Sequence, residues 1–178
     1  ADLNLPLETV AALVEDSARE GIPLVLVAVS EPKMARLPAR LPGLRLLILN
    51  EGELAVRVGR PLGSLDAIAA ACAEVQRQGV QDLIVTRGAS GVLYTSPAGL
   101  QSLEAPRAEV VDVPGAGAAF AAAVCWSLHA GELDLGVACR RGLQLSAMTV
   151  ACAQTVCLDI EPGLLDGPEL QPNETVLD

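Results

Sequence analysis

Residues 109–121 read EVVDVPGAGAAFA, and this stretch decides the fold. Glu109 to Val113 has strand character, and Gly115, Ala116 and Gly117 then open a run of small residues with a helical pattern. Strand, glycine turn and helix start follow one another, the unit from which α/β folds are assembled. The first N–H groups of a helix have no intrahelical partner, and the macrodipole adds partial positive charge there. Such a turn suits a phosphate, and glycine lets the backbone come close to it. The same turn also serves as a tight connection between packed elements, and this stretch alone does not separate the two readings. At Ala118, where chemistry beside a bound anion would want a carboxylate, the chain has a methyl group.

Working outward, PLVLVAV at 23–29 and LRLLIL at 44–49 are short, nearly continuous apolar runs bounded by Pro and Gly. That pattern predicts buried parallel strands; strict alternation would predict a half-exposed sheet. Pro6 to Arg19 has helical apolar spacing, with Asn4 as a candidate cap and Gly21 as a stop. Ser64 to Gln78 reads as a helix capped by Ser64, and VQDLIVT at 80–86 as the next strand. Gly88 and Gly91 bracket a turn into VLYT, and the Pro97 to Gly99 turn leads to another short strand, so an antiparallel hairpin is expected at the sheet edge. Helices are expected from Gly115 to His129 and from Leu133 to about Thr149. The tail from Glu161 is rich in Pro, Gly and acids and is expected to be poorly ordered beyond a few contacts. The reading is a three-layer α/β domain, its mainly parallel sheet carrying helices on both faces. The predicted core includes Val25, Val27, Leu46, Ile48, Ile84, Val85, Ala119, Phe120 and Val124.

Composition narrows the function classes. The chain has 178 residues, enough for one ordinary domain, and its apolar fraction of 51% includes only 2% aromatics, so Ala, Leu and Val must build the core. A net charge of −10, with no basic cluster beyond Arg140 and Arg141, lacks the footprint of a nucleic-acid binder. No stretch reads as a transmembrane span, and no basic region followed by an apolar run marks a signal peptide at the N-terminus, although the chain begins at Ala1. Cys72, Cys125, Cys139, Cys152 and Cys157 are odd in number, lie in apolar surroundings and form no C-x-x-C pair. They read as reduced core thiols of an intracellular protein, in the cytoplasm or an organellar matrix. His129, the sole histidine, fits the C-terminus of a helix before Gly131 better than a zinc site.

Three stretches taken together resemble the PfkB/ribokinase family of sugar and nucleoside kinases. NEGE at 50–53 is similar to the family's N-x-x-E motif, VTRGASGVLY at 85–94 to its T-x-G-x-x-G nucleotide turn, and VDVPGAGAAF at 111–120 to its D-T-x-G-A-G-D-x-F signature. They occur in the family's order. ADLNLPLETVAAL, followed by VAVSEPKMARL, further resembles the pseudouridine kinase branch. The resemblance implies ATP with Mg2+ as cofactors, and a sugar or nucleoside as acceptor where the acceptor-binding half is present. It implies that Gly115, Ala116 and Gly117 form the anion hole for the transferring phosphate. Asn50, Thr86, Arg87, Gly88 and Gly91 would hold the nucleotide, and Glu53 would act on magnesium through water. Residue by residue, other roles stay open: Asn50 as the cap of a helix starting at Glu51, Thr86 to Gly91 as a plain strand-to-hairpin connection, and Arg87 as an exposed arginine.

The departures from the family pattern carry as much weight. The family's catalytic base is the Asp directly after G-A-G, and Ala118 occupies that position. Loss of a general base costs about 10²- to 10⁴-fold in rate. Pro114 replaces a Thr, Val27 falls where the pseudouridine branch has an Asp, and Ile48 and Leu49 replace K-P before the N-x-x-E motif. The resemblance makes residues 1–160 the nucleotide-binding portion of such a kinase without its amino-terminal side, and 161–178 a tail. The expectation is a pseudokinase or a piece of a longer protein, with homo-oligomer formation left open. Two other readings compete with it. A dinucleotide-binding Rossmann-type domain is suggested by Gly115-x-Gly117 but fails at Phe120, where a third glycine belongs. A non-catalytic interaction module on the same scaffold fits the lost carboxylates.

Overall fold

The computed structural model describes residues 1–108, 114–132, 134–152, 160, 163–166 and 174–176. The expected strand at Glu109 to Val113, the start of a helix at Leu133, and Cys157 lie outside the described residues. The chain divides into two compact units, Ala1–Arg87 and Gly88–Asp178.

In the first unit, α1 (Leu7–Glu20) leads to β1 (Val25–Val27), β2 (Leu46–Asn50) is followed by α2 (Glu51–Val58) and α3 (Leu65–Arg77), and β3 (Asp82–Thr86) ends the unit. The strands are parallel in the order β1-β2-β3, with Ile48 opposite Val27 on one side and Ile84 on the other. Leu46 to Leu49 and Leu83 to Val85 are all buried, as expected of strands covered on both faces. Each such leucine contributes about 1.5–3 kcal/mol relative to an exposed one. The β1 strand is shorter than its apolar run and alternates: Leu26 is buried while Val25 and Val27 are only half-buried, against the prediction for both valines. Ala119 is half-buried as well, whereas the other predicted core positions are buried.

The cap of α1 also differs from expectation. Pro6 is the N-cap residue and supplies no side-chain bond. Asn4 lies too early to cap, and its side-chain oxygen instead accepts a hydrogen bond from Lys33 Nζ. Arg36 Nη1 donates to the carbonyls of Leu3 (3.2 Å) and Asn4 (2.8 Å). The Asp-Leu-Asn and Val-Ser-x-x-Lys segments are thus fastened to each other, although far apart in sequence. Gly21 stops the helix with φ 66°, and Ser64 caps α3 by accepting Ala67 N–H, both as predicted. Arg57 crosses from α2 to donate to the Leu37, Pro38 and Ala39 carbonyls and to Gln78 Oε1.

In the second unit, β4 (Val92–Ser96) and β5 (Gly99–Leu103) form the expected hairpin, followed by α4 (Ala116–His129) and α5 (Leu135–Val150). The tail is not devoid of structure: β6 (Glu174–Val176) pairs antiparallel with β5, Thr175 opposite Ser102. A β-branched Thr-Val pair inside an acidic segment was too short a signal to read as a strand. The helices α4 and α5 pack so closely that a Cβ on Gly142 would lie 2.7 Å from the Phe120 ring. Arg141 sits over the exposed Trp126 ring at 5.6 Å and donates to Leu165 O. Among the described residues no helix is long and apolar enough to cross a membrane.

Candidate functional site

The first group of sequence-predicted residues gathers at the carboxyl ends of β2 and β3. Parallel register sets Asn50 opposite Thr86. Asn50 leaves the strand with φ −99° and ψ 174° and caps α2. Its Oδ1 accepts Glu53 N–H at 2.8 Å, and Glu53 Oε2 accepts Asn50 N–H at 2.7 Å, a reciprocal capping box worth about 1 kcal/mol. The capping role that the sequence left open is therefore real. It uses one oxygen of Glu53 and one end of the Asn50 amide; Glu53 Oε1 and Asn50 Nδ2 take no part in it.

Glu53 is only 2% exposed. Burial raises its pKa, the Asn50 N–H pulls it back, and the nearby Glu31 charge raises it further. Glu31 comes close because residue 52 is glycine: a Cβ there would lie 2.3 Å from Glu31 Oε1. Arg87 follows Thr86, and its Nε donates to Glu51 Oε1 at 2.5 Å. Thr86 Oγ1 reaches back to Leu49 O at 3.5 Å. Glu31 and Glu51 were not singled out from the sequence. A legible signal existed for Glu51, an acid immediately after Asn50 and an arginine immediately after Thr86, on what register makes neighbouring strands.

The second group belongs to the Gly88–Asp178 unit. Gly88 begins a short 3₁₀ turn with φ 56°, and Gly91 closes it with φ 85°, its N–H donating to Gly88 O at 3.1 Å. Gly115 is the N-cap of α4 with φ 93°, a backbone state that favours glycine, and it supplies no side-chain cap. The residues after it, Ala116, Gly117 and Ala118, form the first turn, and the helical ladder begins with Ala119 N–H on Gly115 O at 2.8 Å. Among the described residues nothing lies within 4 Å of a Cβ placed on Gly117, and Ala118 is exposed. The first N–H groups of a helix have no intrahelical partner, so this start has the electrostatic character that receives an anion. Ser146 of α5 holds this turn by donating to Ala116 O at 2.9 Å.

Some chemistry is absent. Among the described residues no group of three or more His, Cys, Asp or Glu is arranged to hold a metal ion. A role for Glu53 through a metal-bound water needs only one carboxylate, and its spare oxygen fits that role. Cys72, Cys125 and Cys139 are free thiols. Burial pushes Cys72 up to about 11 and Cys139 higher still, so neither is a ready nucleophile.

A parallel strand set leading into a capped helix, together with a glycine-opened helix start, defines an α/β protein with an anion-receptive turn. The chain belongs to the pfkB family of carbohydrate kinases, whose family model matches residues 2–160. It is 32% identical over 154 residues to the bifunctional protein HldE of Rhodospirillum rubrum, covering 78% of this chain and 31% of that protein. Against the pseudouridine kinase of Escherichia coli it is 27% identical over 158 residues, 87% of this chain and 49% of that one. Arabidopsis thaliana ribokinase, solved with ribose and ATP, superposes with a TM-score of 0.72 at 20% identity, covering 86% of this chain and 49% of that one. The fold is thus ribokinase-like, the predicted mainly parallel sheet with helices, and the chain spans half or less of the length of these relatives.

Proposed function

We propose that this chain is the nucleotide-binding portion of a PfkB-family sugar or nucleoside kinase, with ATP as donor, and that in this form it does not transfer the phosphoryl group. The observation that carries the reading is the start of α4: the anion-receptive turn at Gly115 to Gly117 is intact, while the next residue, exposed Ala118, has no atom that accepts a proton. In the reaction, a phosphoryl group in transfer spreads charge over its oxygens, and fixed N–H donors stabilise that charge without reorganising. Gly117 and Ala118 N–H are suited to this task. An acceptor hydroxyl must also lose its proton, and the position from which the family takes it is a methyl group here.

For magnesium, Glu53 would hold a metal-bound water and Asn50 would donate to phosphate, each with the atom left over from the capping box; the ion would supply charge neutralisation. Gly88 and Thr86 are assigned to the nucleotide. The likeness to a pseudouridine kinase supports a nucleoside or sugar as acceptor, and on this reading the half of such a kinase that orients the acceptor lies outside these 178 residues, a loss worth several kcal/mol on its own. Calorimetric titration with ATP and Mg2+, paired with a coupled ADP-release assay on pseudouridine and ribose, tests the reading. Saturable binding without turnover supports it. Turnover above the buffer rate, or no binding at all, contradicts it.

A further inference from the structure

Resting on the nucleotide reading above, we infer that Glu51 is a positioning residue that holds Arg87 so that its terminal nitrogens face a nucleotide phosphate. Glu51 is the first residue of α2 and Arg87 the first after β3, and the pairing of β2 with β3 brings them together across 36 residues of sequence. The contact is one-sided. Nε donates to Glu51 Oε1 at 2.5 Å, and the described hydrogen bonds leave Nη1 and Nη2 uncommitted. A guanidinium anchored through Nε keeps its Nη1 and Nη2 edge for another partner, the edge with which arginine can grip phosphate in a pair of parallel bonds.

The surroundings favour this arrangement over a loose surface pair. Arg87 is less exposed than its partner, 24% against 41% for the side chains. Glu51 lies in the first turn of a helix, where the dipole favours a negative charge and so steadies the anchor. The same strand ends carry Asn50 and Thr86, both assigned to the nucleotide, so Arg87 extends a row of phosphate-facing groups rather than opening a separate site. A carboxylate that merely competed with phosphate for Arg87 would weaken binding, and the variants below give opposite signs for the two cases.

The test is a double-mutant cycle on ATP affinity, followed by NMR titration of the whole chain with ATP and Mg2+ and, separately, with adenosine. Glu51→Ala removes the anchor, Glu51→Gln keeps an oxygen for Nε, and Arg87→Met removes the phosphate contact. Loss of a charge-assisted contact predicts about tenfold or greater weakening for Arg87→Met and several-fold for Glu51→Ala. Glu51→Gln retains most of the affinity, Glu51→Ala has no added effect on top of Arg87→Met, and adenosine affinity is unchanged throughout. Tighter ATP binding by Glu51→Ala, additive effects in the double variant, or equal losses for ATP and adenosine overturn the inference while leaving the nucleotide reading intact. If the unmodified chain binds no ATP, both fall.

Discussion

Gly88 and Gly91 belong to one motif but face different constraints, and substituting each by alanine separates folding from ligand approach. At Gly91 the backbone has φ +85°, and a Cβ would lie 1.9 Å from Leu103 O, 2.8 Å from Ala105 N and 2.9 Å from Glu104 C. All three are backbone atoms, Leu103 the β5 partner of Val92 and Glu104 and Ala105 the residues that follow it, so the backbone at the open end of the hairpin must shift. A left-handed conformation costs an L-residue about 1–2 kcal/mol, and overpacking adds about 1–3 kcal/mol. Gly91→Ala should therefore lose about 2–5 kcal/mol. At Gly88, φ is +56° and among the described residues nothing lies within 4 Å of the added atom, so only the conformational part, about 1–2 kcal/mol, applies. The assay is urea unfolding followed by fluorescence of Trp126, the sole tryptophan, which lies in the same unit as both glycines. If the two variants agree within about 0.5 kcal/mol, the limit of ordinary additivity error, the close approach at Gly91 is not what the motif protects. ATP affinity should follow the reverse order once stability is allowed for, since open space adjoins Gly88 and not Gly91.

Glu53→Gln keeps an oxygen for Asn50 N–H and removes a charge that burial disfavours. With the folded pKa raised, the native chain holds a proton that the unfolded chain has released, so wild-type stability falls as pH rises through the range just above the ordinary glutamate value. Stability of the variant minus that of wild type should climb across that range; a flat difference refutes the assignment. Arg57→Ala strips bonds from three carbonyls and Gln78 and should cost about 2–4 kcal/mol in urea unfolding, with Arg57→Lys recovering less than half because an ammonium lacks the fork. Ala118→Asp in this chain should yield no ADP release with any nucleoside, yet exceed Ala118→Asn in stability by about 0.3–1 kcal/mol at low salt, because the helix start favours the carboxylate. Loss of that advantage at high salt confirms its electrostatic origin.

Parallel strands were legible because burial on both faces leaves a continuous apolar run, as at Leu46 to Leu49. The edge position of β1 was not, since Val25 and Val27 are as apolar as Leu26 and only tertiary placement leaves them half-covered. Helix ends were read correctly where a cap follows local rules, as at Ser64 and Gly21. They were misread at Asn4, whose side chain is taken by Lys33 from a distant segment. In the candidate site, Asn50, Glu53 and the glycine turns could be named from their motifs. The partnership of Glu51 with Arg87, and of Glu31 with Gly52, depends on strand register and on a missing Cβ, neither of which a motif encodes. Ala118 was readable as a departure from a pattern, and the structure adds that it is exposed at an uncapped helix start.

The most direct measurement is a heteronuclear NMR titration of the unmodified chain with ATP and Mg2+, following the backbone amides of Gly117 and Ala118. The account predicts that both resonances move saturably, with the same affinity that calorimetry reports, because their N–H groups receive the phosphate. If ATP binds while these two amides stay in place, or if no ATP binds, the anion-receptive turn of α4 is only a connection between packed elements and the central claim fails.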